Sequence, residues 1–307
     1  MKNKLSADGA IDSIEAVAGK FPGYRRAHAK GIGFEAEFKP NGAATAYTTA
    51  AHFQETAVPA IVRFSHSSPN PEATELLNPV KGMSVQFQLP NGEITNLANV
   101  TVPVFITKTP EAFIDMIRAV KKGEMGVKDR LEVMAKHPDW QAGFEILKNL
   151  RPPVSFATGC YYSIHAYYFI NEHGERQAVK YEWEPDAGVE LLSLSSAFSL
   201  ARQSMEEEVE ARLADGPIIF HLTIQLGEAD DPTDDPTEEW PADRKKLRIG
   251  TLTITNKRAD NAESIRFDPT IVPDGIECSE DPVLIFRSKA YAESYKRRIN
   301  NQYRVGG

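Results

Sequence analysis

The feature that most restricts the fold of this chain is a run of short strand signals separated by tight-turn signals. Three apolar segments stand out between Gly31 and Ile106, namely Ala57–Phe64, Gly82–Leu89 and Val102–Ile106. Asn91-Gly92 lies between the second and the third, and this dipeptide favours a two-residue β-hairpin because both residues tolerate positive φ. Strands joined by such short turns pair antiparallel. The first third of the chain therefore predicts an antiparallel sheet.

Strand signals return in the second half, and helical periodicity fills much of the remainder. Further strands are predicted at Cys160–Asn171, Gln177–Trp183, Ile218–Leu226 and Lys246–Thr255. Helices are predicted at Ser6–Gly19, Thr109–Lys122, Val127–His137, Asp139–Asn149, Gln203–Leu213 and Asp281–Arg298. The acidic, proline-rich segment Asp230–Pro241 is interpreted as a loop and not as a domain boundary. We expect one α+β domain over residues 1–307, an antiparallel β-barrel of about eight strands with surrounding helices.

The charge balance and the cysteine count exclude several classes of protein. The 307 residues carry 35 basic and 43 acidic side chains, a net charge of −8, which disfavours a nucleic-acid partner. Cys160 and Cys278 are too few for a disulfide framework and have no metal-ligand spacing. No apolar run has the roughly 20 residues needed to span a bilayer, and no signal-peptide run precedes Phe21. We expect a cytoplasmic protein without a membrane partner.

One face of the predicted C-terminal helix has the side chains of a metal or cofactor site. Arg287, Tyr291, Tyr295 and Arg298 stand at i, i+4, i+8 and i+11, so they share a face that spans roughly 16 Å. A free tyrosine, with a pKa near 10, is a poor metal ligand at neutral pH, but an arginine one turn away favours the phenolate. From the spacing alone, a surface helix whose basic residues lie near its C-terminus is the more common explanation.

Three short motifs follow one another between Phe267 and Tyr291, and they give this helix a context. They read Phe267-Asp-Pro, then Gly275-Ile-Glu-x-Ser-x-Asp281, then Leu284-x-x-Arg287-x-x-x-Tyr291. The series resembles the haem-ligand region of monofunctional catalases, whose pattern is FDP, GIE-x-S-x-D and L-x-x-R-x-x-x-Y. Arg298 also stands where the family has a later arginine. The chain thus resembles the catalase family, and in particular its small catalase-related peroxidases.

The N-terminal half carries matching motifs in the family's order. They are Arg25-x-x-His28-Ala-Lys-Gly31, Val62-Arg63-Phe64-Ser65, Gly82-Met-Ser-Val-Gln-Phe87, and Pro103-Val-Phe105 followed by Phe113. The first is similar to the family's distal-histidine motif and the second to its V-R-F-S strand. The third is similar to the G-x-A-V-K-F strand. The resemblance therefore extends from about Pro22 to Arg298.

The resemblance implies a haem b cofactor and a role for each matching residue. Tyr291 would be the iron ligand, as tyrosine is in catalases, with Arg287 as its hydrogen-bond donor. His28 would move the proton of a bound peroxide, and Ser65 would orient it. The other expected contacts are propionate binding by Arg25, Arg63 and Arg298, and packing of Phe113 near the haem. The same resemblance leaves His165 a structural role.

The sequence departs from the family at the distal asparagine. Catalases have G-N-N-T-P where this chain has Asn99-Val100-Thr101-Val102-Pro103. Alignment on the proline puts Val100 in the place of the asparagine, and Asn99 could replace it only with a one-residue shift. We retain Asn99 and Thr101 as candidate catalytic residues. Loss of that asparagine should weaken the oxidation of a second peroxide to dioxygen and favour oxidation of organic donors, which is peroxidase chemistry.

The length of the chain also departs from that of full-length catalases. At 307 residues it lacks their long N-terminal arm and their added C-terminal helices, so we expect a more accessible haem edge. We predict a haem peroxidase that uses hydrogen peroxide or an organic hydroperoxide with a small organic reductant, and a homodimer or a monomer. The alternatives are a true catalase, a hydroperoxide isomerase related to allene oxide synthase, and a non-enzymatic haem-binding barrel.

Overall fold

A computed structural model describes residues 5–76, 78, 80–120, 140, 146, 148–199 and 204–305 of the chain. Ten β-strands lie within these ranges, and they start and end close to most of the predicted positions. In chain order the strands are Gly31–Pro40 (β1), Val58–His66 (β2), Lys81–Gln88 (β3), Ile94–Val100 (β4), Tyr161–Tyr162 (β5), Tyr167–Ile170 (β6), Arg176–Pro185 (β7), Ile218–Leu226 (β8), Lys246–Lys257 (β9) and Ile276–Cys278 (β10).

The sheet closes on itself into a barrel. Eight strands follow the order β7-β5-β4-β3-β2-β1-β9-β8, and β8 pairs back onto β7. The pairings between the described strands are antiparallel. β6 and β10 extend the sheet from β7, outside this ring. The predicted antiparallel barrel of about eight strands with surrounding helices is confirmed.

Alternating residues of each strand fill the barrel interior. On β2, Val62 and Phe64 point inward and are fully buried in the main apolar core. The ring of Phe64 stacks on that of Phe156, with centroids 5.3 Å apart. Arg63 and Ser65 face the outside of the wall, because successive side chains of a strand point to opposite faces. The interior is therefore a packed core, and the outer wall is available for a site.

The helices of the described part are Ala7–Ala18 (α1), Pro110–Val120 (α2), Leu194–Ser199 (α3), Met205–Asp215 (α4) and Pro282–Val305 (α5). Helix α5 begins as predicted, because Asp281 Oδ1 accepts hydrogen bonds from the amides of Val283 (2.8 Å) and Leu284 (3.2 Å). Helix α1 packs against α2 and α5. Arg297 of α5 also pairs with Glu15 of α1 at 3.1 Å. These contacts hold α5 along the outside of the barrel.

The predicted strand at Val102–Ile106 is wrong. This segment is irregular, and the second arm of the Asn91-Gly92 hairpin is β4, whose last paired residue opposite β3 is Val100. Pro103 has no amide hydrogen to donate to a ladder, so pairing stops before it. The hairpin itself is confirmed, with Gly92 at φ 86°.

The predicted strand at Cys160–Asn171 is divided into β5 and β6. Between them, Ser163 Oγ accepts a hydrogen bond from the Tyr181 amide (2.8 Å) and donates one to the His165 carbonyl (2.9 Å). A serine side chain that bonds to the backbone in this way replaces ladder bonds, and the strand is interrupted there.

Part of the predicted helical region lies outside the described residues. The helix predicted at Val127–His137 falls there, as do most of Asp139–Asn149 and the predicted helix end at Lys122. Of the helices that the structure describes, none combines the length and the apolar character that crossing a membrane requires.

Candidate active site

Several of the predicted site residues lie on the outer face of the barrel wall and on α5, and Arg63 of the wall and Arg298 of α5 both approach the carboxylate of Glu263. We call the region between these two elements the cleft. The wall contributes Arg63 and Ser65, and the segment before β1 contributes His28. Helix α5 contributes Arg287 and Tyr291. The charges of Arg63 on the wall and of Arg287 on α5 both lower the pKa of His28, so both elements lie near this imidazole.

Hydrogen bonds hold both the backbone and the ring of His28 in place. Its φ of 54° lies in the left-handed region, which costs about 1–3 kcal/mol for a residue other than glycine. Arg63 Nη1 donates to the His28 carbonyl (3.1 Å), and His28 Nδ1 bonds with Ser65 Oγ (2.9 Å). Nδ1 is therefore occupied, and Nε2 is the ring nitrogen left for a substrate. A strained backbone held by several contacts is typical of a functional position.

Gly82 provides the space for this ring. A Cβ added to Gly82 would lie 2.7 Å from His28 Nδ1 and 2.9 Å from Ser65 Oγ. A side chain at this position would therefore push the ring away from the wall. The motif Gly82–Phe87 marked this strand, but it gave no sign that the glycine packs against the imidazole.

The protonation state of His28 follows from its surroundings. Removal from water lowers the pKa of the imidazole, and the charges of Arg63, Arg287 and Arg25 lower it further, to about 3. The ring is neutral at physiological pH and has a lone pair with which to accept a proton.

On the other side of the cleft, Arg287 and Tyr291 form the predicted pair. Arg287 Nη2 donates to Tyr291 Oη. Burial lowers the pKa of Arg287 and the adjacent Tyr291 raises it, with a net increase, so the guanidinium remains charged. A charged donor on a phenolic oxygen stabilises the phenolate relative to the phenol. Arg287 Nη1 is buried and makes no hydrogen bond to any part of the chain that the structure describes.

Sequence reasoning missed a buried pair next to this arginine. His165 Nδ1 lies 2.5 Å from Asp281 Oδ2, and both side chains are 1% exposed. Burial lowers the pKa of His165 to about 4, although Asp281 raises it, and Arg287 contributes a further decrease. Asp281 thus caps α5 and also holds His165 close to Arg287. The pair is separated by 116 residues in the chain, so a local motif could not have revealed it.

The three predicted propionate ligands converge, together with a residue that the sequence analysis did not select. Arg25, Arg63 and Arg298 surround the carboxylate of Glu263 at 3.4, 2.6 and 3.8 Å. Arg63 and Arg298 are each 2% exposed. Burial lowers the pKa of Arg25, and the neighbouring Arg63 lowers it further while Glu263 raises it. Three guanidinium groups this close together indicate an anion site.

Asn99 does not join the cleft, and this corrects the catalytic role proposed for it. It pairs with Met83, a core residue, so its side chain points into the barrel. It is 2% exposed, and neither amide atom finds a partner within the described ranges. Val100 pairs with Gly82 and therefore shares the wall face against which His28 packs. The register places valine, not asparagine, on the distal side.

Thr101 and Phe113 lie at the border of the site. Thr101 Oγ1 accepts from the Lys81 amide (3.0 Å), and its own amide donates to the Lys81 carbonyl (3.0 Å), so it extends the β3–β4 ladder. Phe113 on α2 stacks near Phe105, with ring centroids 5.1 Å apart, beside Met116. The contacts of both residues are structural, and they reach the cleft only through these neighbours.

The residues of the cleft fit a haem group. A phenol held by an arginine can ligate ferric iron, and a neutral imidazole can move the proton of a peroxide. Three clustered arginines, of which Arg63 and Arg298 are buried, match the two carboxylates at the edge of the macrocycle. Arg25 Nε and Arg287 Nη1 are buried polar atoms whose hydrogen bonds are unmade within the described chain, as expected where a polar ligand completes them.

Comparisons with known proteins agree with this site. The family model described as Catalase matches residues 20–305. The chain is 35% identical over 302 residues to a catalase-related peroxidase of Mycolicibacterium paratuberculosis, covering 97% of this chain and 96% of the relative. It is 33% identical over 301 residues to a catalase-related peroxidase of Synechococcus elongatus, covering 96% and 89%.

A solved structure shows the same fold. Catalase A from Saccharomyces cerevisiae superposes with a TM-score of 0.80 at 20% identity, and the match covers 96% of this chain and 65% of that one. Two relatives above 30% identity over nearly their whole length, together with the family match, establish the relationship. This chain belongs to the catalase family of haem enzymes and is similar to its catalase-related peroxidases.

Proposed function

We propose that this chain is a haem b peroxidase that reduces hydrogen peroxide or organic hydroperoxides with a small organic electron donor. The observation that supports the proposal is the joint presence of the Arg287–Tyr291 hydrogen bond on α5 and the His28–Ser65 hydrogen bond on the barrel wall, with Arg287 near enough to lower the pKa of His28. Tyr291 Oη is the iron ligand, and Arg25, Arg63 and Arg298 bind the propionates. When bound, haem supplies the redox chemistry that cleaves a peroxide.

His28 moves the proton that this cleavage requires. In the tautomer that accepts a proton at Nε2, Nδ1–H donates to Ser65 Oγ. The neutral ring takes the proton from one peroxide oxygen and returns it to the other, which leaves as water or alcohol. Because the pKa of His28 is lowered to about 3, the acceptor form is populated throughout the physiological range. Ser65 holds the ring through Nδ1, and Gly82 leaves the space that the ring occupies beside the wall.

Arg287 holds the oxygen of the proposed ligand. Its guanidinium stays charged and donates a hydrogen bond to Tyr291 Oη. The buried His165–Asp281 pair lies near Arg287, and Asp281 caps the first turn of α5. Asp281 therefore fixes the position of the helix that carries Tyr291.

Val100 favours peroxidase over catalase activity. It occupies the place of the family's distal asparagine, and Asn99 points into the barrel. A valine has no hydrogen-bond donor with which to hold a second peroxide, so the site would favour an organic donor over peroxide as the reductant of a bound haem. A true catalase remains the second candidate, since the rest of its site is retained. For the isomerase and for non-enzymatic haem binding, no observation of the cleft provides specific support.

The location and assembly of the enzyme are part of the same proposal. Cys160 and Cys278 are free thiols, each partly buried, as suits a reducing cytoplasm. We also keep the homodimer as a proposal, for which light scattering of the haem-loaded protein is the measurement.

Absorption spectra of haem-loaded wild type and Tyr291→Phe test the ligand. Tyr295→Phe, one helical turn further along α5, is the matched control because it removes the same hydroxyl. We expect the Soret band to shift in Tyr291→Phe and to stay unchanged in the control. An unchanged band in Tyr291→Phe would overturn the assignment of the iron ligand.

Turnover then separates the functions. Peroxide consumption that requires a phenolic donor is the expected result. Rapid oxygen release without a donor would identify a catalase, and consumption of a lipid hydroperoxide without a reductant would identify an isomerase. Haem binding without any of these reactions would leave a haem-binding barrel.

A further inference from the structure

The arginine cluster contains a carboxylate that the proposed haem chemistry does not use. Glu263 Oε1 accepts hydrogen bonds from Arg63 Nε (3.0 Å) and Nη2 (2.6 Å). Its Oε2 lies 3.4 Å from Arg25 Nε and 3.8 Å from Arg298 Nη1. The three arginines come from the segment before β1, from β2 and from α5, so Glu263 is the group that all three share.

The loop that presents Glu263 is built at a cost in backbone strain. Asn261 and Ala262, directly before it, have φ of 48° and 55°, in the left-handed region that residues other than glycine rarely adopt. Asp260 holds the turn, because Oδ1 accepts from the Ala262 amide (3.0 Å) and Oδ2 from Ser264 Oγ (3.1 Å). Strain of this kind persists where the surroundings fix a functional group in place.

The loop also packs closely against strand β1, at a position where a glycine leaves room for it. A Cβ added to Gly33 of β1 would come within 2.5 Å of the Asn261 carbonyl carbon. The Arg25 guanidinium in turn donates to the carbonyls of Ala262 (2.8 Å) and Ile265 (3.1 Å), one on each side of Glu263. The position of Glu263 is therefore set from both sides, and it is not that of a surface glutamate that happens to meet an arginine.

The net charge of the cluster matches the charge of the two haem propionates. Three guanidinium groups and one carboxylate leave a net charge of about +2, which two propionate carboxylates neutralise. Without Glu263, three closely spaced cations, two of them buried, would repel one another and would retain one uncompensated charge after haem binding.

We propose that Glu263 is the built-in counter-charge of the propionate cradle, which holds Arg25, Arg63 and Arg298 together before haem binds and matches their charge to a dicarboxylate. Glu263 is thus a positioning residue for the cofactor. The inference goes beyond peroxidase function, because it concerns the protein before haem is present.

The apo-protein provides the main test. Glu263→Gln keeps the size of the side chain and leaves the cradle with three uncompensated cations. We expect its thermal midpoint to fall below that of the wild type and to rise by about 3 °C or more when sodium sulfate replaces sodium chloride at equal ionic strength, because a divalent anion binds the cradle. The wild type, whose cradle has a net charge of about +2 instead of +3, should respond by a smaller amount. Glu208→Gln, which removes the partner of Arg212 on α4, is the control and should behave as the wild type.

A double variant keeps the test decisive. Glu263→Gln with Arg298→Gln restores a net charge of about +2 and should recover stability, and its sulfate response should return to that of the wild type. An equal sulfate response in wild type and Glu263→Gln, or a double variant that is no more stable than Glu263→Gln, would overturn the proposal.

The same measurement on haem-loaded protein provides a second test. This second test rests on the proposed haem site. Loading should abolish the sulfate response of Glu263→Gln, because the propionates then occupy the cradle. If the apo-protein behaves as expected but loading leaves the response intact, the counter-charge stands and the propionate assignment of the arginines is wrong. If loading abolishes a response that the wild type shows equally, Glu263 is not the counter-charge.

Discussion

The two faces of strand β2 differ in almost every physical property, although their residues alternate one by one. Phe64 points inward and contacts the rings of Phe34, Phe156 and Phe220, at centroid distances of 5.9, 5.3 and 6.0 Å. Ser65, the next residue, points outward and holds the His28 ring. The inner face is apolar and stabilises the barrel, whereas the outer face is buried and polar and carries the proposed chemistry. A strand can therefore separate stability from function by a step of one residue.

The largest effect should come from removing the imidazole on the outer face. His28→Gln takes away the group that accepts and returns the proton, so we expect peroxide turnover to fall by about 10²–10⁴-fold. Thermal stability should change little, since the His28 backbone is held by Arg63 and by the neighbouring strand. Stopped-flow rates with peroxide, and melting curves of the same samples, provide the measurement. A variant that retains turnover would show that another group moves the proton.

The inner face should give the largest loss of stability. Phe64→Ala removes a fully buried ring, and we expect a decrease of about 3–5 kcal/mol in the free energy of unfolding. Ser65→Ala removes one hydrogen bond to His28 and should cost less than about 1.5 kcal/mol while lowering turnover. Denaturant melts and turnover assays on both variants compare the faces directly. Equal destabilisation by the two substitutions would contradict the separation of roles along β2.

The sequence predicted the local features of the fold better than the long-range contacts of the candidate site, for a physical reason. Strand β8 starts and ends at the predicted residues, and Asp281 caps α5 as expected, because alternation and capping are local signals. Glu263 and His165 were missed because their partners Arg63 and Asp281 are 200 and 116 residues away, and no local pattern links such distant residues.

The errors along β4 have the same origin. Val102–Ile106 is apolar, and its composition suggested a strand, yet Pro103 prevents ladder pairing. Asn99 seemed available to the cleft as long as the register was unknown. Only the pairing of Asn99 with Met83 fixes the face to which each residue of this strand points.

His52, a second buried histidine, extends the comparison with His28 to the pH dependence of stability. His52 is 1% exposed, packs against the rings of Phe53 and Phe87, and has a pKa lowered by burial to about 3. The unfolded chain takes up this proton near pH 6.5 and the folded chain does not, so stability is complete above pH 6.5 and is lost as the pH falls towards 3.

Replacement of His52 by phenylalanine should remove this dependence. Between pH 7 and pH 5 the wild type should lose about 2 kcal/mol more than His52→Phe. Denaturant midpoints measured at both pH values give the difference. Parallel losses in the two proteins would place the acid sensitivity in other buried groups, such as His165, whose pKa is about 4.

The smallest expected effect tests whether Val100 and Asn99, adjacent residues of β4, point to opposite faces of the barrel wall as the structure shows. Val100→Asn puts an amide on the face shared with Gly82 and His28, where the family has its asparagine, and should raise oxygen release from peroxide about tenfold relative to donor oxidation. A tenfold change corresponds to about 1.4 kcal/mol, roughly the value of one hydrogen bond. Asn99→Val is the reciprocal control. It removes a buried amide without partners in the described chain and should raise stability while leaving the ratio of the two activities unchanged. If Asn99→Val lowers oxygen release and Val100→Asn does not raise it, the register of β4 shifts by one residue in the working enzyme, and Asn99 serves the cleft after all.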